Sequence, residues 1–288
     1  MAKRTEDAWP PAPEPLPVAT VDNHTHLEMD PWIPEARASV AEQISRAAAV
    51  GVDRMLTVGC DPAAAAWTAE VVADYDALVG GIAIHPNEAA RIARKKGMAA
   101  LDAAIEGIAD LARVTPRIRA ITETGLDYYR TKDEAGHKAQ HHSFRAHIAL
   151  AKELDLPMQI HAREATEDVL ATLAADGAPE RTIFHCFSGD AELAREVTAK
   201  GWYVSFAGPI TFRNAHEARA AVAAAPFSQV LVETDAPYLA PQPHRGRPNA
   251  PYLMPHTVRV IAKVVGRPLA DVCQQISETS EELYGPWF

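Results

Sequence analysis

Short apolar or β-branched runs alternate with longer Ala-rich stretches from residue 18 to the C-terminus. Eight runs read as strands: 18–24, 54–60, 78–85, 118–125, 157–162, 181–187, 202–208 and 229–235. Several are apolar throughout rather than alternating, as expected for parallel strands buried on both faces. Helical stretches lie between them at 34–50, 62–76, 98–113, 136–155, 165–175, 190–200 and 214–225, followed by 255–264 and 268–284. The segment AALDAAIEGIADLA (99–112) repeats its apolar positions at three- and four-residue spacing, one face of an α-helix. Eight β–α units in 288 residues predict an α/β fold, a (β/α)8 TIM barrel, with a doubly wound open sheet as the alternative.

Ahead of the first strand the pattern stops. Residues 1–17 contain Pro10, Pro11, Pro13, Pro15 and Pro17, which favour extended backbone. They predict a short Pro-rich N-terminal arm, disordered or extended. The barrel domain is expected over 18–288, without an internal boundary.

Composition narrows the function. The net charge of -10 argues against a surface that attracts nucleic acid as a whole. Any such chemistry must rest on metal ions and local arginines. The three cysteines, Cys60, Cys186 and Cys273, are far apart and form no CxxC. That disfavours disulfides and suits a reducing compartment. There is no apolar stretch of membrane-spanning length and no secretory h-region in the first twenty residues. A cytoplasmic protein is expected, with no membrane association and no obligate protein partner.

In a TIM barrel, catalytic residues stand at the C-terminal strand ends. The first strand ends in VDNHTH, with Asp22, His24 and His26 on one face if the chain is extended. The third ends in His85, the fourth near Glu123, the fifth in His161, the sixth in His185, and the eighth in Asp235 after Glu233. One buried histidine is more often a hydrogen-bonded core residue than a ligand. His24, His26, Glu123, His161, His185 and Asp235 together, at the ends of five strands, are a poor match to chance. Imidazole and carboxylate hold hydrolytic divalent ions. A pair of ions needs a bridging carboxylate, and Glu123 or Asp235 could serve; Asp235 could also accept a proton from water. His137, His141, His142 and His147 share one helical stretch, for which a solvated helix face is the simpler reading.

The motifs VDNHTHLE, TETGLDYYR, QIHARE, FHCFSGD and ETDAPYLAP resemble those of the TatD-like metal-dependent hydrolases of the amidohydrolase superfamily. They run in family order from residue 21 to about residue 255. The resemblance implies a TIM barrel with metal-dependent deoxyribonuclease or phosphodiesterase activity. It implies that His24, His26, Glu123 and Asp235 hold one ion. Glu123, His161 and His185 hold a second, with Glu123 bridging. Three positions depart from the family pattern: Thr122 replaces the Gly before Glu123, Asn87 replaces the second His of HPH, and Ala250 replaces the Glu of RNEPAY. None is a ligand, so they bear on substrate choice.

The expected enzyme is a divalent-metal phosphodiesterase acting on DNA, exonucleolytically and at single strands or ends. Its catalytic residues would be Asp235 and Glu123. His85, Arg163, Tyr128 and Arg245 are expected to bind substrate, with Arg130, Arg213, Arg247 and Tyr129 as further loop candidates. A guanidinium forks onto two phosphate oxygens, and a tyrosine can stack on a base. Two divalent ions are expected, Mg, Mn, Zn or Ni; histidine ligands lean toward the softer metals, whereas Mg is the ion associated with the family's nuclease activity. The alternatives are an amide, ester or lactone hydrolase using the same metals, and a non-catalytic binding module.

Overall fold

The computed structural model describes residues 9–29, 31 and 37–287. Its eight strands are β1 (Thr20–Thr25), β2 (Val52–Gly59), β3 (Leu78–Ile82), β4 (Ile118–Asp127), β5 (Met158–Arg163), β6 (Thr182–Phe184), β7 (Tyr203–Phe206) and β8 (Val230–Val232). They follow chain order in one sheet, and the pairs with a defined register are parallel. Helices alternate with them: α1 (Val40–Ala48), α2 (Pro62–Asp74), α3 (Pro86–Lys96), α4 (Met98–Val114), α5 (Glu134–Glu153), α6 (Thr166–Asp176), α7 (Ala191–Ala199) and α8 (His216–Ala224). After β8 come α9 (Met254–Val265) and α10 (Leu269–Tyr284). This is the (β/α)8 topology that the alternating pattern predicts.

The differences are local. Helix α3 falls where no helix is expected. Its punctuation is nevertheless complete: His85 caps it, Pro86 opens it, Arg94, Lys95 and Lys96 fill its last turn, and Gly97 ends it at φ 86°. Such signals mark a short helix whose apolar stripe is thin. Strands β6 and β8 are three residues each, shorter than their apolar runs. Just past them Cys186 (φ 44°) and Asp235 (φ 52°) adopt left-handed backbone, which takes the chain out of the ladder. Residues 34–36 of the expected first helix, and 1–8 of the arm, lie outside the described residues.

The chain divides into two compact units, Met1–Thr57 with Cys186–Phe288, and Val58–His185. In the first, β1 pairs with β2, β7 with β8, and Thr25 bridges to Ala236. Its core includes Val21, Met55, Phe206, Val232, Ile276 and Trp287. The Pro-rich segment from Trp9 onward is held to this unit. Leu16 N–H donates to Val50 O (3.0 Å), Tyr252 Oη to Pro10 O (2.5 Å), and Trp9 packs edge-on against Tyr252.

In the second unit β3, β4, β5 and β6 pair in turn, over a core that includes Leu78, Ile84, Ile121, Phe144 and Ile160. Helix α5 packs on β4 and α3. Of its histidines, His147 departs from the solvated-face expectation. It is fully buried, its Nε2 accepts the Ile84 N–H (3.2 Å), and burial pushes its pKa down to about 4. Among the described residues no helix is long and apolar enough to cross a membrane.

Candidate metal centre

Each unit gathers histidines and carboxylates at the C-terminal ends of its own strands. In the second unit the cluster starts from β4. Alternation along an extended strand puts Glu123, Gly125 and Asp127 on one side. Gly125 has φ 136°, and a Cβ there would stand 2.1 Å from His161 O, so only glycine lets β4 run this close to β5. The close approach sets His161 against Glu123.

Glu123 Oε1 lies 2.5 Å from His161 Nδ1, 2.9 Å from His185 Nε2 and 3.5 Å from His85 Nε2. Burial pushes the Glu123 carboxyl up, but the charge of His185, His85 and His161 outweighs it and holds the group well below the usual carboxylate range. Burial works against a charged His161 too, but Glu123 and Asp127 raise its pKa. Glu123 is therefore an ionised carboxylate ringed by imidazoles. His85, Glu123 and His161 each offer a ligand atom within 4.8 Å of the others. His85 differs in one respect. Its Nδ1 accepts the Asn87 N–H at the start of α3 (3.1 Å), so in the neutral ring Nε2 carries the hydrogen and is a donor rather than a ligand.

The neighbours of this cluster are also placed. Cys60 Sγ lies 3.5 Å from Glu123 Oε2, and Asp127 Oδ2 lies 3.2 Å from His161 Nε2. Tyr128 is engaged within the unit. Its ring stacks on His137 at 3.9 Å, and its hydroxyl donates to Asp168 Oδ2 (2.6 Å). Its neighbour Tyr129 is 48% exposed and carries the Arg163 guanidinium 3.9 Å over its ring, so Tyr129 presents the ring that Tyr128 is expected to present.

In the first unit, His24 Nε2 and His26 Nε2 lie 3.9 and 3.4 Å from the same oxygen, Asp235 Oδ1. The backbone sets this meeting: Asp235 N–H donates to His24 O (2.9 Å), and His26 N–H to Ala236 O (2.8 Å). Asp22 engages His24 through the backbone, its Oδ1 accepting the His24 N–H (3.3 Å). Its carboxylate accepts the Thr234 N–H (2.9 Å) and hydroxyl (2.5 Å), and so anchors the chain one residue before Asp235. Burial pushes Asp22 up to about 7 against those hydrogen bonds. Asn249 braces the same loop by donating to Thr234 O (2.9 Å) and Tyr238 O (2.6 Å). Glu233 turns aside to accept the Cys186 N–H (2.6 Å). Arg245 is exposed, with its guanidinium 4.6 Å over the Phe212 ring.

The donor set suits divalent ions. Two donors bound at about 2.1 Å in tetrahedral geometry stand about 3.4 Å apart, which is the separation of His26 Nε2 from Asp235 Oδ1. Imidazole and carboxylate donors of this kind hold ions that activate water. Sequence reasoning did not reach Asp127, Cys60 or the bracing role of Asn249. For Asp127 a signal existed, since it continues the alternation Glu123–Gly125–Asp127.

A (β/α)8 topology with imidazole and carboxylate clusters at its strand ends defines a metal-dependent hydrolase. Residues 21–285 match the family model described as TatD related DNase. The chain is 41% identical over 271 residues to the uncharacterized metal-dependent hydrolase TatD of Mycobacterium tuberculosis, covering 92% of this chain and 97% of the relative. It is 34% identical to the uncharacterized metal-dependent hydrolase YabD of Bacillus subtilis, covering 91% and 98%. Among solved structures it resembles YJJV, a TatD homologue of Escherichia coli, with a TM-score of 0.81 at 24% identity, over 92% of this chain and 97% of that one; this supports the TIM-barrel fold. The chain belongs to the TatD family of metal-dependent hydrolases.

Proposed function

We propose that this hydrolase cleaves phosphodiester bonds of DNA, acting on single strands or ends as an exonuclease. The observation that carries the reading is the match of residues 21–285 to TatD related DNase. We assign one divalent ion to His24, His26 and Asp235, and one to Glu123, His161 and His185. Bound there, such ions supply Lewis acidity and lower the pKa of water. The residues do the rest. Asp235 accepts the proton of the attacking water. His85 Nε2–H donates to a phosphate oxygen. Arg163 and Arg245 offer forked donors to the flanking phosphates, and Tyr129 offers a ring to a base. Arg163 is exposed and lies two residues beyond His161. With a net charge of -10, the grip on long DNA is weak and falls with added salt. None of the three cysteines is in a disulfide, which suits work in a reducing cytoplasm.

The test uses the full chain, stripped and reloaded with Mg, Mn, Zn or Ni, and end-labelled single- and double-stranded DNA. Cleavage that needs metal and vanishes in Asp235→Asn and His161→Ala supports the reading, and the product ladder shows the polarity. Metal binding without any DNA cleavage overturns it, and puts a small-molecule amide, ester or lactone substrate in its place.

A further inference from the structure

His161 is held on both edges. On one side Nδ1 faces Glu123 Oε1 at 2.5 Å; on the other, Nε2 faces Asp127 Oδ2 at 3.2 Å. Asp127 is the last residue of β4, and its side chain is 1% exposed. It is clamped from several directions. Asn87 Nδ2 donates to Oδ2 (2.9 Å) and the Arg130 N–H to Oδ1 (2.8 Å). Gln140 brackets the Asp127 backbone, accepting its N–H (3.0 Å) and donating to its O (3.2 Å). Asn87 is fixed in turn, because Thr131 Oγ1 donates to its Oδ1 (3.0 Å). With both oxygens committed and no exposure, Asp127 is not free to swing toward an ion.

An ionised carboxylate only accepts hydrogen bonds. Glu123 faces Nδ1 in the same way, so with no ion both ring nitrogens call for a hydrogen; once an ion takes the place of the Nδ1 hydrogen, Asp127 keeps the remaining one on Nε2 and leaves the Nδ1 lone pair to the ion. We propose that Asp127 is a positioning residue that fixes the tautomer and orientation of His161 for metal binding through Nδ1, and that Asn87 is the latch that keeps Asp127 on the ring. This rests on the reading of the Glu123–His161–His185 cluster as a metal site. It also gives the HPN departure a role. An amide offers a donor to Asp127 and an acceptor to Thr131 at once, and does so at any pH at which the protein is folded. A histidine in its place would lose the acceptor on protonation.

The pairing of a ligating imidazole with a carboxylate on its far nitrogen is worth about 10- to 100-fold in metal affinity. The test is zinc binding to the stripped full-length chain, measured by calorimetry with a competing chelator. Circular dichroism checks the fold of each variant. Asp127→Asn, close in shape, is expected to weaken zinc binding by about 10- to 100-fold, and Asn87→Ala by less. Asn87→Asp, which sets a second negative charge against Asp127, is expected to weaken it more than Asn87→Ala does. In a His161→Ala background the effect of Asp127→Asn is expected to vanish, because Asp127 acts through His161; an undiminished effect there overturns the proposal. Nitrogen NMR of the zinc-loaded chain gives a second readout. Hydrogen on Nε2 of His161 in the wild type, with a mixed or shifted signal in Asp127→Asn, supports the tautomer assignment. Unchanged zinc affinity and an unchanged ring signal in Asp127→Asn overturn the inference and leave the metal site standing. A wild-type chain that binds no zinc, manganese or magnesium overturns the metal-site reading itself.

Discussion

The two units solve the same problem differently. In Val58–His185, imidazole nitrogens already rest on Glu123 at 2.5 and 2.9 Å, within hydrogen-bond range, and Asp127 holds the far side of His161. In the unit containing β1 and β8, His24 and His26 stand 3.9 and 3.4 Å from Asp235, beyond a good hydrogen bond. The far nitrogen of His26 is 3.7 Å from Glu28 Oε1, also too long. There the backbone and Asp22 do the positioning: Asp22 grips Thr234, and the β1 and β8 ends bond to each other. One cluster is held by its own side chains. The other is held by its scaffold, with His26 Nε2 and Asp235 Oδ1 at 3.4 Å, about the separation of two donors on one tetrahedral ion. The physical lesson is that a carboxylate can organise imidazoles by hydrogen bonds alone, whereas donors spaced for coordination depend on the frame behind them until an ion arrives.

That contrast can be broken or sharpened. The largest effect is expected from Glu123→Gln, which removes the charge on which three imidazoles converge. Bound metal at that cluster and hydrolysis should both fall by at least about 100-fold, more than the outer partners of a ligand contribute. Metal analysis and turnover check it, and near-normal metal content would break the picture of a self-organised cluster. Next comes His147, the buried prop behind β3. Its folded pKa, about 4, lies below the value of about 6.5 expected when unfolded. The unfolded chain therefore takes up a proton first as pH falls. Stability is lost between about pH 6.5 and pH 4, and the loss reaches about 3 kcal/mol below that window. His147→Gln should flatten this acid limb, read as urea midpoint against pH.

A smaller effect separates the clusters directly. Chelation should raise amide exchange at His24–Leu27 and at residues 234–238 by about tenfold, an opening of about 1.4 kcal/mol, and should change exchange around Glu123 and His161 less. Equal changes would erase the distinction drawn above. The smallest effect belongs to the N-terminal strap. Tyr252→Phe removes the bond to Pro10 O, and about 1 kcal/mol of stability should go with it, read from thermal or urea unfolding.

Much is legible in the amino-acid sequence alone. The alternation of apolar runs and Ala-rich stretches placed all eight strands, because burial on both faces of a parallel strand leaves a compositional trace in each one. That His24, His26, Glu123, His161, His185 and Asp235 stand at strand ends was legible because strand ends are countable, and polar residues there stand out against apolar runs. Helix α3 was not, since its thin apolar stripe gives way to capping residues that read equally well as a turn. Tyr128 and Tyr129 were interchangeable in the sequence; packing on His137 and Asp168 took one and left the other exposed.

The sequence by itself determined the order of elements and which imidazoles and carboxylates stand at which strand end, since these depend on local periodicity and residue type. Only the tertiary structure decided which nitrogen of His161 faces which carboxylate, that Asp22 anchors Thr234, and that Asn87 reaches Asp127 across 40 positions of chain. Those are contacts between residues far apart in sequence. Their energies depend on angstrom-scale distance and burial, neither of which periodicity encodes.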